Sequence, residues 1–101
     1  MLPSYDEMPV AEAEEKVEQP KLYKVLLHND DYTTMEFVVD VLESIFNMPE
    51  DQAIQVMLNV HIRGVGVAGI YTFEVAEMKV AKTVAAAREN EFPLLCTMEE
   101  A

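Results

Sequence analysis

The composition of the chain changes abruptly after Pro20. Residues 1–20 carry six acidic side chains against one lysine, Lys16, and three of the five prolines of the chain. A segment this charged, with few large apolar side chains, cannot bury enough surface to offset the entropy that ordering costs. We therefore expect residues 1–20 to form a disordered acidic tail and residues 21–101 to form a single folded domain.

Residues 21–101 alternate between short apolar runs and longer stretches of helical periodicity. Three strands are predicted from the apolar runs at residues 22–27, 65–71 and 94–98. Three helices are predicted between and after them, ending near Asn47, at Gly64 and near Asn90. The order β-α-α-β-α-β indicates an α+β domain, with three helices packed on a small, three-stranded, mainly antiparallel sheet.

The helix starts are predicted from capping residues. Thr33 and Glu36 have the spacing of a capping box, with Thr33 as the N-cap of the first helix. Pro49 suits the first position of the second helix, and Thr72 suits the N-cap of the third. In the second helix, Ile54, Met57, Leu58 and His61 are expected to share the apolar face, which Ala53, Val56 and Val60 widen.

The charge excludes several classes of partner. The formal net charge of −12 repels nucleic acid phosphates and anionic lipids, and it favours a soluble monomer. No apolar run approaches the roughly 20 residues that span a bilayer. The single cysteine, Cys96, cannot form an internal disulfide, as expected for a protein of the reducing cytoplasm. We expect a cytoplasmic protein that binds neither nucleic acid nor membrane.

Polar residues that could take part in binding or catalysis lie in the loop of residues 28–33 and at His61. They are open to an ordinary interpretation, in which the loop residues form a turn and a cap and His61 lies at the edge of the core. A metal site would use His28, Asp30, Asp31 and His61, although no HxH or HxxxH pair is present. A hydrolase would need a nucleophile, and Cys96 lies in an apolar strand where a thiolate is disfavoured.

A third interpretation is an ammonium site. An NH₃⁺ group has three donors and no acceptor capacity, so it needs about three acceptors around it. Asn29, Asp30 and His61 would supply an amide carbonyl, a carboxylate and a neutral imidazole nitrogen. Methionine and valine side chains beside them would form an apolar slot, so that the site would suit a peptide N-terminus with a hydrophobic first residue. Neither a catalytic group nor a cofactor is required, and we expect a binding module, not an enzyme.

The sequence resembles the ClpS family, the bacterial adaptors that deliver N-degron substrates to the ClpAP protease. The resemblance rests on several motifs that recur in order: YKVLLHNDDYTTMEFV at residues 23–38, MLNVH at 57–61, Thr72 with EVAE at 74–77 and KVA at 79–81, and ARENE and PLLCT at 87–91 and 93–97. It covers essentially all of residues 21–101 and implies the same α+β fold.

The resemblance implies a function and the residues that perform it. The adaptor would bind substrates that have a free α-amino group and Leu, Phe, Tyr or Trp as the first residue. Asn29, Asp30 and His61 would receive the α-amino group, and the side-chain pocket would be lined by Thr33, Met35, Val38, Met57, Val60 and Leu94. Glu74 and Lys79 would contact the N-terminal domain of the ClpA unfoldase. The acidic tail would engage the unfoldase during handover, and no metal or other cofactor is implied.

Two positions depart from the family pattern. Thr34 stands where the family often has proline, which would loosen the first turn of the helix. His28 replaces a usually apolar residue, and from beside the site it would tune the local field.

Overall fold

The fold is taken from a computed structural model, which describes residues 19–101. The acidic tail expected at residues 1–20 falls almost entirely outside the described residues. The elements are strand β1 (Leu22–His28), helix α1 (Met35–Ser44), helix α2 (Glu50–Arg63), strand β2 (Val65–Thr72), helix α3 (Phe73–Glu89) and strand β3 (Leu95–Glu100). The predicted order β-α-α-β-α-β is confirmed.

The sheet has β1 at its centre, and its strand order is β2-β1-β3. Both pairings are antiparallel, with Leu27 opposite Gly66 on one side and opposite Cys96 on the other. A register shift between Val25 and Leu26 marks a β-bulge against β2. Because each crossover between the strands contains one or two helices, the helices can cover one face of the sheet, as the predicted fold class requires.

The core lies between the sheet and the helices. Val25 and Leu27 of β1 are fully buried, and so is Leu42 of α1. Ala53 of α2 and Ala76 of α3 are also fully buried, and their small side chains allow the helix backbones to approach the core closely. Within the described part of the chain, none of the helices has the length and apolar character needed to cross a membrane.

The start and the end of α1 differ from the prediction. Thr34, not Thr33, is the N-cap, and its side-chain oxygen accepts a hydrogen bond of 3.1 Å from the amide of Phe37. Thr34 therefore stabilises the first turn through a capping bond, and the expectation that it would loosen this turn was wrong. The helix ends at Ser44 before Asn47, because Asn47 has a positive φ of 57° that a right-handed helix cannot accommodate.

The face of α2 was also predicted imprecisely. Ala53 and Val60 are buried, whereas Ile54, Leu58 and His61 are exposed. The buried stripe is rotated toward Val60 because α2 packs against β2 there: a Cβ on Gly66 would lie 2.7 Å from the Val60 side chain. Pro49 is the N-cap and not the first helical residue. Gly64 ends the helix as expected, with the positive φ of 91° that glycine tolerates.

Candidate functional site

The loop between β1 and α1 is held against the end of α2. The backbone amide of Asn29 donates a hydrogen bond of 2.9 Å to the carbonyl of Gly64. Gly64 is the residue where the chain leaves α2. Together with the pairing of His28 with Val65 in the sheet, this contact places the loop of residues 28–33 beside the last turns of α2, where His61 lies.

Asp30 organises the loop through its own carboxylate. Its Oδ1 accepts hydrogen bonds from the amides of Tyr32 and Thr33 at 2.8 and 2.7 Å, and its Oδ2 accepts one from the Thr33 hydroxyl at 2.8 Å. Partial burial raises the pKa of Asp30 through desolvation, but the hydrogen bonds from Thr33 and Tyr32 outweigh it and leave the pKa below its ordinary value. The carboxylate is therefore ionised at neutral pH, and Oδ2 keeps one lone pair for another donor.

The loop, the start of α1 and the second half of α2 enclose a cavity of about 600 Å³. Its lining combines carboxylate, amide and imidazole groups with methionine and valine side chains. The lining residues are Asn29, Asp30, Asp31, Tyr32, Thr33, Thr34, Met35, Glu36, Val38, Met57, Val60 and His61. A cavity that offers both polar groups and apolar side chains suits a ligand with a polar tip and an apolar body.

Most of the site residues expected from the sequence line this cavity. They are the three acceptors Asn29, Asp30 and His61, together with Thr33, Met35, Val38, Met57 and Val60. Leu94 does not line it. Its side chain is only 6% exposed, belongs to the core, and lines a separate cavity near Phe92 and Cys96. The structure thus places Leu94 beneath the surface and not at the cavity wall.

The side chain of His28 is hydrogen-bonded within the sheet. Its Nε2 is hydrogen-bonded at 2.7 Å to the Thr97 hydroxyl on β3, and His28 does not line the cavity. The expected influence of His28 on the site is therefore not supported by its position. The alternative metal site also loses this ligand, and residues 19–101 contain no group of three or more His, Cys, Asp or Glu side chains arranged to hold a metal ion.

Cys96 has the character expected of a buried structural thiol. Desolvation by burial raises its pKa to about 11, and a hydrogen bond with Thr83 only partly opposes this shift. The thiolate that a nucleophile requires is therefore disfavoured at neutral pH.

Four lining residues were not predicted as site residues: Asp31, Tyr32, Thr34 and Glu36. Asp31 and Tyr32 belong to the loop that the sequence already singled out, so their proximity to Asp30 was the available signal. Glu36 was interpreted only as part of a capping box. Because Thr34 is the N-cap, Glu36 is not the partner in a capping box with Thr33, and it lines the cavity instead.

The two residues expected to contact an unfoldase have different environments. Glu74 is exposed and lines a cavity of about 500 Å³ together with Tyr23 and Phe73, whose rings meet edge to face at 5.3 Å. Lys79 is half-buried and donates a hydrogen bond of 2.5 Å to the carbonyl of Ile45, beyond the end of α1. This hydrogen bond therefore links α3 to the end of α1.

Comparisons with known proteins identify the family of the chain. The sequence model of the family described as ATP-dependent Clp protease adaptor protein ClpS matches residues 18–97. The chain is 58% identical to the Clp protease adapter protein ClpS of Methylococcus capsulatus over 98 residues, which are 97% of this chain and 92% of that protein. It is 57% identical to the ClpS of Desulfatibacillum aliphaticivorans over 90 residues, 89% of this chain and 86% of that protein.

A solved structure gives the same result for the fold. The structure of Agrobacterium tumefaciens ClpS2 bound to L-phenylalaninamide matches with a TM-score of 0.79 at 42% sequence identity. The match covers 82% of this chain and 100% of that one. The chain therefore belongs to the ClpS family of Clp protease adaptor proteins, and it is an adaptor, not an enzyme.

Proposed function

We propose that this adaptor binds N-degron substrates, which have a free α-amino group and Leu, Phe, Tyr or Trp as the first residue, and delivers them to the ClpA unfoldase of the ClpAP protease. The observation that carries the proposal is the cavity, in which Asn29, Asp30 and His61 stand beside the apolar side chains of Met35 and Val38. Three acceptors match the three donors of an ammonium group, and the apolar wall matches a bulky side chain.

The ligand of the related structure supports this choice. L-phenylalaninamide, which is bound to Agrobacterium tumefaciens ClpS2, has a free α-amino group and a large apolar side chain. Its carboxamide group corresponds chemically to the peptide bond between the first and second residues of a peptide. A cavity of the present shape and polarity would accept the same chemical groups from the first residue of a substrate protein.

Delivery requires a second surface, for which the resemblance to ClpS implies Glu74 and Lys79 as contacts with the N-terminal domain of ClpA. Glu74 is exposed and accessible to a partner. Lys79 would contribute partly by holding α3 against α1 through the Ile45 carbonyl. The proposal includes a monomeric adaptor that acts in the cytoplasm, and unfolding and proteolysis belong to its partners.

The direct test is binding of matched peptides that differ only in their first residue. A Leu-starting peptide should bind at least about tenfold more tightly than its Ser-starting counterpart, because burial of a Leu side chain contributes about 1.5–3 kcal/mol. Fluorescence anisotropy with the label at the peptide C-terminus measures both affinities. A generic acidic factor that captures basic proteins would bind the two peptides equally, and this result would refute the proposal.

His61→Ala is expected to weaken binding of the Leu-starting peptide about tenfold or more, because a hydrogen bond to a charged group contributes about 1.5–3 kcal/mol. The exposed imidazole is not part of the core, so the variant should remain folded by circular dichroism. His28→Ala is the matched control, since His28 is bonded to Thr97 and does not line the cavity. Unchanged affinity in a folded His61→Ala protein would remove His61 from the site.

A further inference from the structure

Tyr32 lines the cavity, although most of its side chain is exposed to solvent. Its exposed fraction is 76%, compared with 3% for Val60 and 6% for Val38, which line the same cavity. Because all three side chains line one depression, their exposed fractions indicate their depth in it. The two valines therefore lie at the bottom of the cavity, and the ring of Tyr32 lies at its mouth.

The loop fixes the backbone of Tyr32 and leaves its ring uncovered. The amide of Tyr32 donates a hydrogen bond of 2.8 Å to Oδ1 of Asp30, which also accepts one from the amide of Thr33. The aromatic ring pairs found among residues 19–101 do not include Tyr32. A tyrosine held in this way offers a large amphipathic contact area to a ligand, and only two side-chain torsions lose freedom when the ligand binds. The ring is therefore suited to ligand contact and contributes little to the core.

The geometry of the first substrate residue determines which group reaches the mouth of the cavity. The inference rests on the proposed function, in which Asn29, Asp30 and His61 receive the α-amino group. The side chain of the first residue then lies against the apolar side chains, of which Val38 and Val60 are the most deeply buried. The remaining carbon substituent of the Cα atom is the carbonyl group, and it points out of the cavity because the chain continues from it. The second Cα atom follows at about 3.8 Å, so the main chain of the second residue passes the mouth.

We propose that the ring of Tyr32 packs against the main chain of the second substrate residue and holds the substrate chain at the mouth of the cavity. The contact requires no particular side chain at the second position, because every residue has a main chain. Tyr32 thus adds affinity for any substrate that the cavity accepts, whereas Met35 is expected to discriminate between first residues. A ligand that ends after its first residue lacks the contact with Tyr32.

The test compares L-leucinamide with Leu-Gly-Gly-amide, in which the same first residue is extended by main chain alone. The unmutated protein should bind the longer ligand about three- to tenfold more tightly, because part of the exposed ring is then removed from water. In Tyr32→Ala this gain in affinity should be lost, whereas Tyr32→Phe, which keeps the ring, should retain it. Competition against a labelled Leu-starting peptide measures all of these affinities.

Ile62→Ala is the matched control. Ile62 is 75% exposed, much as Tyr32 is, but it does not line the cavity, so this variant should retain the gain in affinity. A second measurement uses the absence of tryptophan from the sequence. In Tyr32→Trp, the fluorescence emission should shift to shorter wavelength when Leu-Gly-Gly-amide binds, and it should shift much less when L-leucinamide binds.

Each outcome separates this inference from the proposed function. If a folded Tyr32→Ala protein retains the gain in affinity, the second residue is held by other groups, and the inference alone is overturned. Equal binding of the two ligands by the unmutated protein would have the same consequence. If neither ligand competes with the labelled peptide and that peptide itself does not bind, the proposed function is overturned together with the inference.

Discussion

Acetylation of the α-amino group of a Leu-starting peptide is expected to lower its affinity at least about a hundredfold. The acetyl group removes the positive charge and leaves one donor in place of three. Each charge-assisted hydrogen bond to Asn29, Asp30 or His61 would contribute about 1.5–3 kcal/mol. The loss of two of these bonds accounts for the expected fall in affinity, because the Leu side chain binds equally in both peptides. The partly buried carboxylate of Asp30 then also loses its cationic partner.

The measurement is anisotropy competition between the free and acetylated peptides. An N-monomethylated peptide is the informative control, because it keeps the charge and two donors, and it should fall between the other two. If the acetylated peptide binds as well as the free one, the polar end of the cavity does not receive an ammonium group. The site would then be only an apolar slot.

The carboxylate of Asp30 stays charged over the pH range in which these affinities are measured. Its pKa is lowered in the folded protein, so the ionised form is favoured there. The stabilisation that the carboxylate gives to the loop is fully present above its ordinary pKa and is lost as the pH falls through the lowered pKa. Asp30 therefore stays an anionic acceptor throughout the neutral range and contributes no pH dependence to binding there.

The order of the elements could be predicted from the sequence because the apolar periods differ so clearly between strands and helices. The cap of α1 could not, because Thr33 and Thr34 are equally suited to the role. The structure resolves the choice through Asp30, which engages the Thr33 hydroxyl and leaves Thr34 to accept from Phe37. A local competition between two neighbouring hydroxyl groups is not visible in a pattern of residue types.

The site, too, could be predicted from the sequence only in part. The loop residues and His61 could be singled out as polar groups, but their proximity depends on the pairing of β1 with β2 and on the backbone bond from Asn29 to Gly64. Backbone contacts between distant segments leave no signal in residue types. Leu94 is buried and is not among the lining residues, and a buried and a pocket-lining leucine look alike in sequence.

Met35→Ala is expected to admit peptides that begin with Ile or Val, which the unmutated protein excludes. Met35 is the first residue of α1 and lines the cavity. Near the peptide backbone the cavity must stay narrow, so that the α-amino group reaches Asn29, Asp30 and His61. Ile and Val branch at Cβ and place a second group at this narrow level, whereas Leu, Phe, Tyr and Trp branch at Cγ, deeper in the cavity.

Overpacking of this kind costs about 1–3 kcal/mol, so Met35→Ala should tighten binding of Ile and Val peptides by about five- to a hundredfold. Affinity for the Leu peptide should change little, because its branch lies below the truncated side chain. Anisotropy with matched Leu, Ile and Val peptides measures all three affinities. Met78→Ala is the control, since Met78 is a similarly exposed methionine on α3 that does not line the cavity. Equal binding of Ile and Leu peptides by the unmutated protein would show that Met35 does not exclude Cβ-branched residues.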